Sequence, residues 1–399
     1  MQKTGFFLVL CLLLLLAMPV AAAPQVTGKS AVLIDAQSGQ VLYDMAKDEK
    51  LPPASTTKIL TAIIAIESGK LDEMVTVGPN PPLVEGTKVY LEAGEKVKLR
   101  DLVLAALVHS ANDAALAVGE YLAGSAPEFA KIMNAKAQAL GAVNSNFVNP
   151  HGLSEDNHYT TAYDLALIGR YAMTNETFRS MVKTKVLDWN GKAWQTRLIN
   201  INKLLWSYDG ADGVKTGYTT EAKSTIVASA TRNGQTLIAV VLGSSGSNIW
   251  QDAENLLDYG FANFQGIELA HPEKVVATVD ITPKEKLQLV PKEAVQLALP
   301  QEGNKKIDTK VVLEPLQVPI AQGQRVGSLV FFLDGKEISR VELLAKNAVS
   351  RHIGFTNIML YLGAGLFFLQ VLWRSFLLYK RSRRSRYGYN SSYRGYRSY

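Results

Sequence analysis

Pro53-Ala54-Ser55-Thr56-Thr57-Lys58 sets a serine and a lysine three residues apart. On a helix the two side chains share one face. A serine hydroxyl is a poor nucleophile until a base takes its proton. A lysine can be that base when burial or a nearby cation lowers its pKa. A helix start beneath Ser55 would also favour developing negative charge. Ser110-Ala111-Asn112 offers a hydroxyl and a carboxamide that can face one cleft from a loop. Lys215-Thr216-Gly217 offers a cation and a hydroxyl for a substrate carboxylate, and Gly217 leaves room where a ligand must approach the backbone. Each element alone is cheap. Ser180-Met181-Val182-Lys183 repeats the first spacing, Lys3-Thr4-Gly5 repeats the last pattern, and Ser110-Ala111-Asn112 alone reads as a helix-capping turn. The combination, in one order, is far less common.

The elements that must position these residues can be read from the pattern. Ala31–Asp35 and Val41–Tyr43 read as a β-hairpin turning near Gly39. Pro52-Pro53 breaks the chain, and Ser55–Ser68 reads as a helix closed by Gly69. Ile59, Leu60, Ala62, Ile63, Ile64, Ala65 and Ile66 are apolar around most of its circumference, which marks a buried central helix. Leu99–Val108, Ala114–Leu122, Pro127–Leu140 and Thr161–Met173 also read as helices, so Ser110-Ala111-Asn112 falls between two of them. Lys215-Thr216-Gly217 precedes the predicted strand Thr225–Ser229. A second strand, Thr236–Leu242, follows the Asn233-Gly234 turn. A helix-rich middle flanked by strands predicts an α+β domain with one antiparallel sheet built from distant segments. No internal repeat is found.

Composition changes near Gly266. Short β-type runs (Val275–Val279, Leu287–Val290, Val295–Leu299, Lys310–Leu313 and Ser328–Leu333) alternate with Pro and Gly, and Asp334-Gly335 is a hairpin turn. The expected organisation is a signal peptide over 1–23, a catalytic domain over 24–265, and a small β-rich domain over 266–346. A transmembrane helix over 353–373 and a basic cytoplasmic tail over 374–399 complete it.

The ends of the chain explain its charge. Lys3, the apolar run Phe6–Ala17 and Ala21-Ala22-Ala23 have the order of a secretory signal. The single cysteine, Cys11, lies inside that run, so the exported body would use neither disulfides nor a thiol nucleophile. Ile353–Trp373 carries no charge, and a helix over it matches the roughly 30 Å hydrocarbon core. The positive-inside rule places the Arg- and Lys-rich tail beyond it in the cytoplasm and the preceding domains outside. A helix lying in the membrane plane is the other reading of this segment. The net charge of +6 on 399 residues therefore comes from the two ends. The exported body is slightly acidic, and no nucleic-acid partner is expected. His109, His151, His158, His271 and His352 show no zinc-ligand spacing, and Gly243-Ser244-Ser245-Gly246 lacks the spacing of a nucleophile elbow.

The three elements, with Ser-Asp-Asn in the middle, are the set found in β-lactamases and penicillin-binding proteins. Here the middle element is Ser-Ala-Asn. From about Thr27 to Ala345 the sequence resembles the low-molecular-mass penicillin-binding proteins that are D-alanyl-D-alanine carboxypeptidases. The resemblance includes Pro53–Lys58, His109–Asp113, Asn149-Pro150-His151-Gly152-Leu153, Thr161-Ala162-Tyr163-Asp164-Leu165 and Asp212–Gly217.

The resemblance implies a β-lactamase/transpeptidase-like fold and a serine peptidase that removes the terminal D-Ala from peptidoglycan stem peptides. It implies Ser55 as nucleophile, Lys58 as base, and Ser110 with Lys215 in proton delivery. Asn112 would hold the substrate amide, Thr216 the terminal carboxylate, and Gly217 and Tyr218 would line the site, with the Ser55 and Tyr218 N–H groups as oxyanion hole. β-Lactams would acylate Ser55, membrane lipid would surround the anchor, and no metal or organic cofactor is implied. One departure stands out. The family often has an arginine shortly after the strand following Lys-Thr-Gly, whereas Gly243–Trp250 contains none. A catalytically weak envelope-binding protein is the alternative this supports. A β-lactamase is less well supported, because no Glu-x-x-Leu-Asn lies between Asn112 and Lys215.

Overall fold

The computed structural model describes residues 23–282, 285–301, 306–350 and 355–387. The predicted signal segment, with Lys3 and Cys11, lies outside the described residues, apart from Ala23. So do His352, the first two residues of the predicted span and the end of the tail.

The chain forms two compact units. The first is built on a five-stranded antiparallel sheet. Its strands are β1 (Ser30–Asp35), β2 (Val41–Met45), β7 (Ala211–Thr219), β8 (Lys223–Arg232) and β9 (Gln235–Ser244), in the order β2-β1-β9-β8-β7. The hairpin near Gly39 and the Asn233-Gly234 turn fall where the sequence predicts them, and Gly39, Asn233 and Gly234 all have positive φ. Because side chains alternate along a strand, both sheet faces are covered. Val32 and Ile34 join the helical core on one side, while Ala31 and Leu33 join a second cluster on the other.

The helical side holds α1 (Lys58–Glu67), α2 (Leu99–Val108), α3 (Asn112–Ala123), α4 (Ala126–Ala139), α5 (Ala162–Thr174) and α6 (Glu176–Val182). Helix α1 is buried almost all round, as its sequence requires. It is preceded by one 3-10 turn, Ala54–Thr57, so Ser55 lies in that turn rather than in the α-helix proper. The opposite face is covered by α7 (Asn248–Asn263), through Ile249, Ala253, Leu256 and Leu257. Two short pairs, β3 (Met74–Thr76) with β4 (Lys96–Lys98) and β5 (Val186–Asn190) with β6 (Gln195–Ile199), decorate the helical region.

The domain boundary differs from the predicted one. Strand β10 (Phe264–Ala270) pairs with β13 (Val295–Pro300), and Ala298 packs in the cluster beneath α7. The chain therefore leaves the first unit at His271 and returns to it over Ala294–Lys306. Composition near Gly266 marks the onset of β structure, but it cannot tell which sheet a strand joins.

The second unit contains β11 (Ala277–Thr282), β12 (Glu285–Pro291), β14 (Ile307–Leu313), β15 (Arg325–Leu333) and β16 (Lys336–Ala345), in the order β11-β12-β16-β15-β14. Leu287 and Leu289 point inward while Lys286 and Gln288 face solvent, the alternation of a half-buried strand. Asp334 and Gly335 make the β15–β16 turn with positive φ. The C-terminal helix α8 runs from Phe355 to Tyr387, past the predicted end at Trp373. Within it Met359–Arg381 is long and apolar enough to cross a membrane, and none of that stretch is buried by protein. An exposed apolar surface of this size requires a lipid or protein cover.

Candidate active site

Three segments meet at Ser55. The first is the turn that bears it. Pro53 O accepts the Thr56 hydroxyl at 2.6 Å and the Thr225 hydroxyl at 3.0 Å, while Ala54 O accepts the Thr57 hydroxyl at 2.8 Å. Ala54 has a φ of 49°, in the left-handed region that costs a non-glycine residue energy. These side-chain bonds hold the bend that leaves Ser55 half-exposed while Thr56, Thr57 and Lys58 turn inward.

The second segment receives the lysine. Lys58 is fully buried, and its Nζ lies 2.8 Å from Ser55 Oγ, 2.7 Å from Asn112 Oδ1 and 2.6 Å from the His151 carbonyl oxygen. Burial, and then the charge of Lys215, hold its pKa well below the ordinary lysine value, against a smaller opposing effect of Asp113. Asn112 Oδ1 and His151 O can only accept hydrogen bonds. Protonated, the amine donates to these two oxygens and to Ser55 Oγ. Once deprotonated, its two N–H bonds serve Asn112 and His151, and its lone pair faces the Ser55 hydroxyl, an arrangement in which a lysine can take a serine proton.

The turn carrying His151 is built by Asn149. Its Oδ1 accepts the Gly152 N–H at 2.7 Å, and its Nδ2 donates to Leu153 O at 2.9 Å and Glu155 Oε1 at 2.8 Å. Gly152 has a φ of 86°, and a Cβ there would lie 1.9 Å from Ala54 O. No other residue fits against the turn that bears Ser55. His158 Nδ1 accepts the Val148 N–H at 3.1 Å, so its proton sits on Nε2, 2.9 Å from Thr57 Oγ1. Burial and the charge of Lys58 lower its pKa to about 4, keeping it neutral.

The third segment is β7. Lys215, Thr216 and Gly217 lie on the strand itself, opposite Val227, Ile226 and Thr225 of β8, rather than ahead of a strand as predicted. Lys215 is 2 % exposed, its Nζ donates to Thr216 O at 2.8 Å, and burial lowers its pKa to about 7. Thr216 and Gly217 are half-buried and Tyr218 is exposed. A Cβ on Gly217 would lie 2.6 Å from both the Ser55 amide nitrogen and Thr225 Oγ1.

Ser110 is 7 % exposed with a φ of 64°, just before α3 begins at Asn112. Among the described residues its hydroxyl has no hydrogen-bond partner, so it is not tied to either lysine in this state. Asn112 Nδ2 donates to Glu85 O at 2.7 Å, leaving one amide N–H for a ligand. The buried Asp113 carboxylate accepts the N–H groups of Val89, Leu91 and Ala114, and so fixes the wall beside Asn112. By contrast Ser180 and Lys183, at the same spacing as Ser55 and Lys58, are both exposed on and beside α6. Spacing is equal; only burial distinguishes the two.

Sequence reading alone did not single out Asn149, His158, Thr57 or Asp113. They act by shaping backbone, and the phrases Pro53–Lys58, His109–Asp113 and Asn149–Leu153 contain Thr57, Asp113 and Asn149 without marking a role for them.

Most of the chain is similar to known proteins. Residues 18–246 match the family model described as D-alanyl-D-alanine carboxypeptidase, and residues 264–351 match penicillin-binding protein 5, C-terminal domain. The D-alanyl-D-alanine carboxypeptidase DacF of Bacillus subtilis is 34% identical over 338 residues, covering 81% of this chain and 86% of that protein. The enzyme DacC of Escherichia coli is 35% identical over 345 residues, covering 82% and 85%. Penicillin-binding protein 5 from Haemophilus influenzae superposes with a TM-score of 0.74 at 32% identity, covering 83% of this chain and 100% of that one.

Proposed function

The chain belongs to the D-alanyl-D-alanine carboxypeptidase family of serine peptidases, and from that premise we propose that Ser55 is the nucleophile and Lys58 its general base. Family members are serine-type hydrolases that work through an acyl-enzyme and are acylated by β-lactams. The observation that carries the assignment is the buried Lys58 amine, 2.8 Å from Ser55 Oγ with its other two contacts on pure acceptors.

Ser55 attacks the carbonyl carbon of the D-Ala–D-Ala peptide bond as Lys58 takes the hydroxyl proton. The oxyanion forms against the Ser55 and Tyr218 N–H groups, donors that need no reorganisation during reaction. The C–N bond then breaks, and the proton taken up by Lys58 passes through Ser110 and Lys215 to the departing D-Ala nitrogen, leaving Lys58 free to act again. Asn112 holds the substrate amide with its remaining N–H, and Thr216 with Lys215 holds the terminal carboxylate. Water enters where D-Ala left, gives a proton to Lys58 as its oxygen bonds to the acyl carbon, and Lys58 passes that proton to Ser55 Oγ as the acyl–Oγ bond breaks. Gly243–Trp250 supplies no arginine, so carboxylate recognition rests on Lys215 and Thr216.

The substrate is the peptidoglycan stem peptide. The apolar, uncovered α8 anchors the protein in the cell membrane as a single span, with the basic end cytoplasmic and both folded units outside. The test is D-Ala release from a Lys-D-Ala-D-Ala peptide by the purified exported portion. Release by the wild type that Ser55→Ala abolishes is expected. Penicillin labelling without peptide turnover would favour an envelope-binding role instead.

A further inference from the structure

A polar cavity opens at the end of the first unit's sheet far from Ser55. Thr225 of β8 bonds to the turn that bears Ser55, and Arg232 ends the same strand seven residues later. At about 3.3 Å per residue those steps cover roughly 23 Å. Around that end lies a cavity of about 610 Å³, a size that holds small ligands. Carboxamides dominate its walls: Gln37, Asn233, Gln235, Gln265, Gln296 and Gln301. All six belong to the first unit.

These amides have unused bonding capacity. Gln235 is 8% exposed, and its Nε2 has no partner among the described residues. A buried donor of this kind costs free energy until something accepts from it. Its side chain lies against β10, where a Cβ on Gly266 would sit 3.7 Å from Gln235 Cγ. Gln265 on β10 and Gln296 on β13 make no side-chain hydrogen bond among the described residues. Gln301 Nε2 donates to Phe261 O at 2.9 Å and Phe264 O at 3.1 Å, which leaves its own carbonyl oxygen free.

The charges argue against two ligand classes. Arg232 is already committed: its guanidinium lies over Tyr208 at 4.4 Å and Phe261 at 4.8 Å, and 3.6 Å from Asp258 Oδ1. Glu268 is exposed, has no partner among the described residues, and would repel an anion. A bare metal cation cannot accept from Gln235 Nε2. A neutral ligand rich in groups that both donate and accept meets neither obstacle. Hydroxyls do both, and an acetamido group pairs reciprocally with a glutamine amide. Phe261 and Phe264, half-buried in the same wall, add apolar surface for sugar C–H groups.

We propose that this cavity binds a neutral saccharide chain bearing acetamido groups. Its hydroxyls donate to Glu268 and to the Gln301 carbonyl oxygen. Its oxygens accept from Gln265 and Gln296 and, directly or through a water, from Gln235. The site stands apart from Ser55, so it does not rest on the peptidase reading. Under that reading, a polymer carrying both sugars and stem peptides is held at two points, which raises the local concentration of peptide at Ser55.

The test titrates the full-length chain with chitotetraose by isothermal calorimetry, in a detergent without a sugar headgroup. A Kd of about 1 mM or tighter is expected, unchanged after treatment with benzylpenicillin. Maltotetraose, which has hydroxyls but no acetamido groups, should bind several-fold more weakly. Gln265→Ala combined with Gln296→Ala should weaken chitotetraose binding roughly tenfold, with Tm and the rate of penicillin labelling at wild-type values, since neither side chain has a hydrogen bond to lose. Glu268→Ala, at an exposed position, should weaken it several-fold on its own. No binding, equal binding of the two sugars, or an unchanged Kd in these variants would overturn the proposal. So would loss of binding after penicillin treatment, which would place the sugar in the Ser55 cleft. None of these outcomes bears on D-Ala release, which is measured separately.

Discussion

Gly217 approaches Ser55 so closely that a Cβ on it would lie 2.6 Å from the Ser55 amide nitrogen. That nitrogen is one of the two proposed oxyanion donors, so the glycine keeps a strand edge and a nucleophile turn within reach of one reacting atom. Gly217→Ala must push them apart. Overpacking of this kind costs about 1–3 kcal/mol, and displacing one oxyanion donor costs roughly 10²–10³ in kcat. The acylation rate with a fluorescent penicillin should fall by about that factor, with a modest fall in Tm. A variant that labels at the wild-type rate would show that the close approach is incidental.

Lys58→Arg tests the base. A guanidinium stays protonated at any accessible pH, so it can neither expose a lone pair to Ser55 nor accept its proton. Stopped-flow acylation should slow by roughly 10²–10⁴. A rate within tenfold of wild type would mean that another group takes the proton.

The pH profile should report Lys215. Its pKa of about 7 means that in the free enzyme the cation is lost as pH rises through that value. A neutral amine cannot pair with the terminal carboxylate, so kcat/KM for a peptide should decline on the alkaline side of about 7. Lys215→Arg keeps the charge and should move that decline upward, whatever its effect on the absolute rate. An unmoved alkaline limb would assign it to another group.

Acid stability should report His158. Its folded pKa, about 4, lies below the unfolded value of 6.5, so between these values the unfolded state binds the extra proton. The stability due to neutral His158 is fully present above about pH 6.5 and is lost as pH falls toward 4. A shift of this size corresponds to about 3 kcal/mol. Urea unfolding at pH 7 and pH 4.5 should show a smaller difference for His158→Gln than for wild type. An equal difference in the two proteins would contradict it.

The sequence was legible where one residue pattern dictates one structure. The apolar circumference of Ile59–Ile66 required burial of α1, and Asn233-Gly234 and Asp334-Gly335 fell at hairpin turns. Strand β13 was legible as a strand but not as a partner of β10, because alternation does not encode which sheet it joins. Strand β7 was hidden because Lys215-Thr216-Gly217 carries site residues in place of an alternating apolar pattern. The left-handed residues Ala54, Tyr90 and Ser110 were invisible, since none belongs to a type that favours that conformation. The two Ser-x-x-Lys spacings were indistinguishable by pattern alone. The neighbours that bury Lys58, from the Asn149–Leu153 turn and Asn112, come from distant parts of the chain.

That contrast gives the most direct measurement. Treating the exported portion with benzylpenicillin, digesting it and locating the adduct by mass spectrometry asks which serine the fold has activated. The added mass should appear on the peptide containing Ser55, none should appear on the one containing Ser180, and Ser55→Ala should carry no adduct. An adduct on any other serine, or one that survives Ser55→Ala, would contradict the assignment of Ser55 and Lys58 as nucleophile and base.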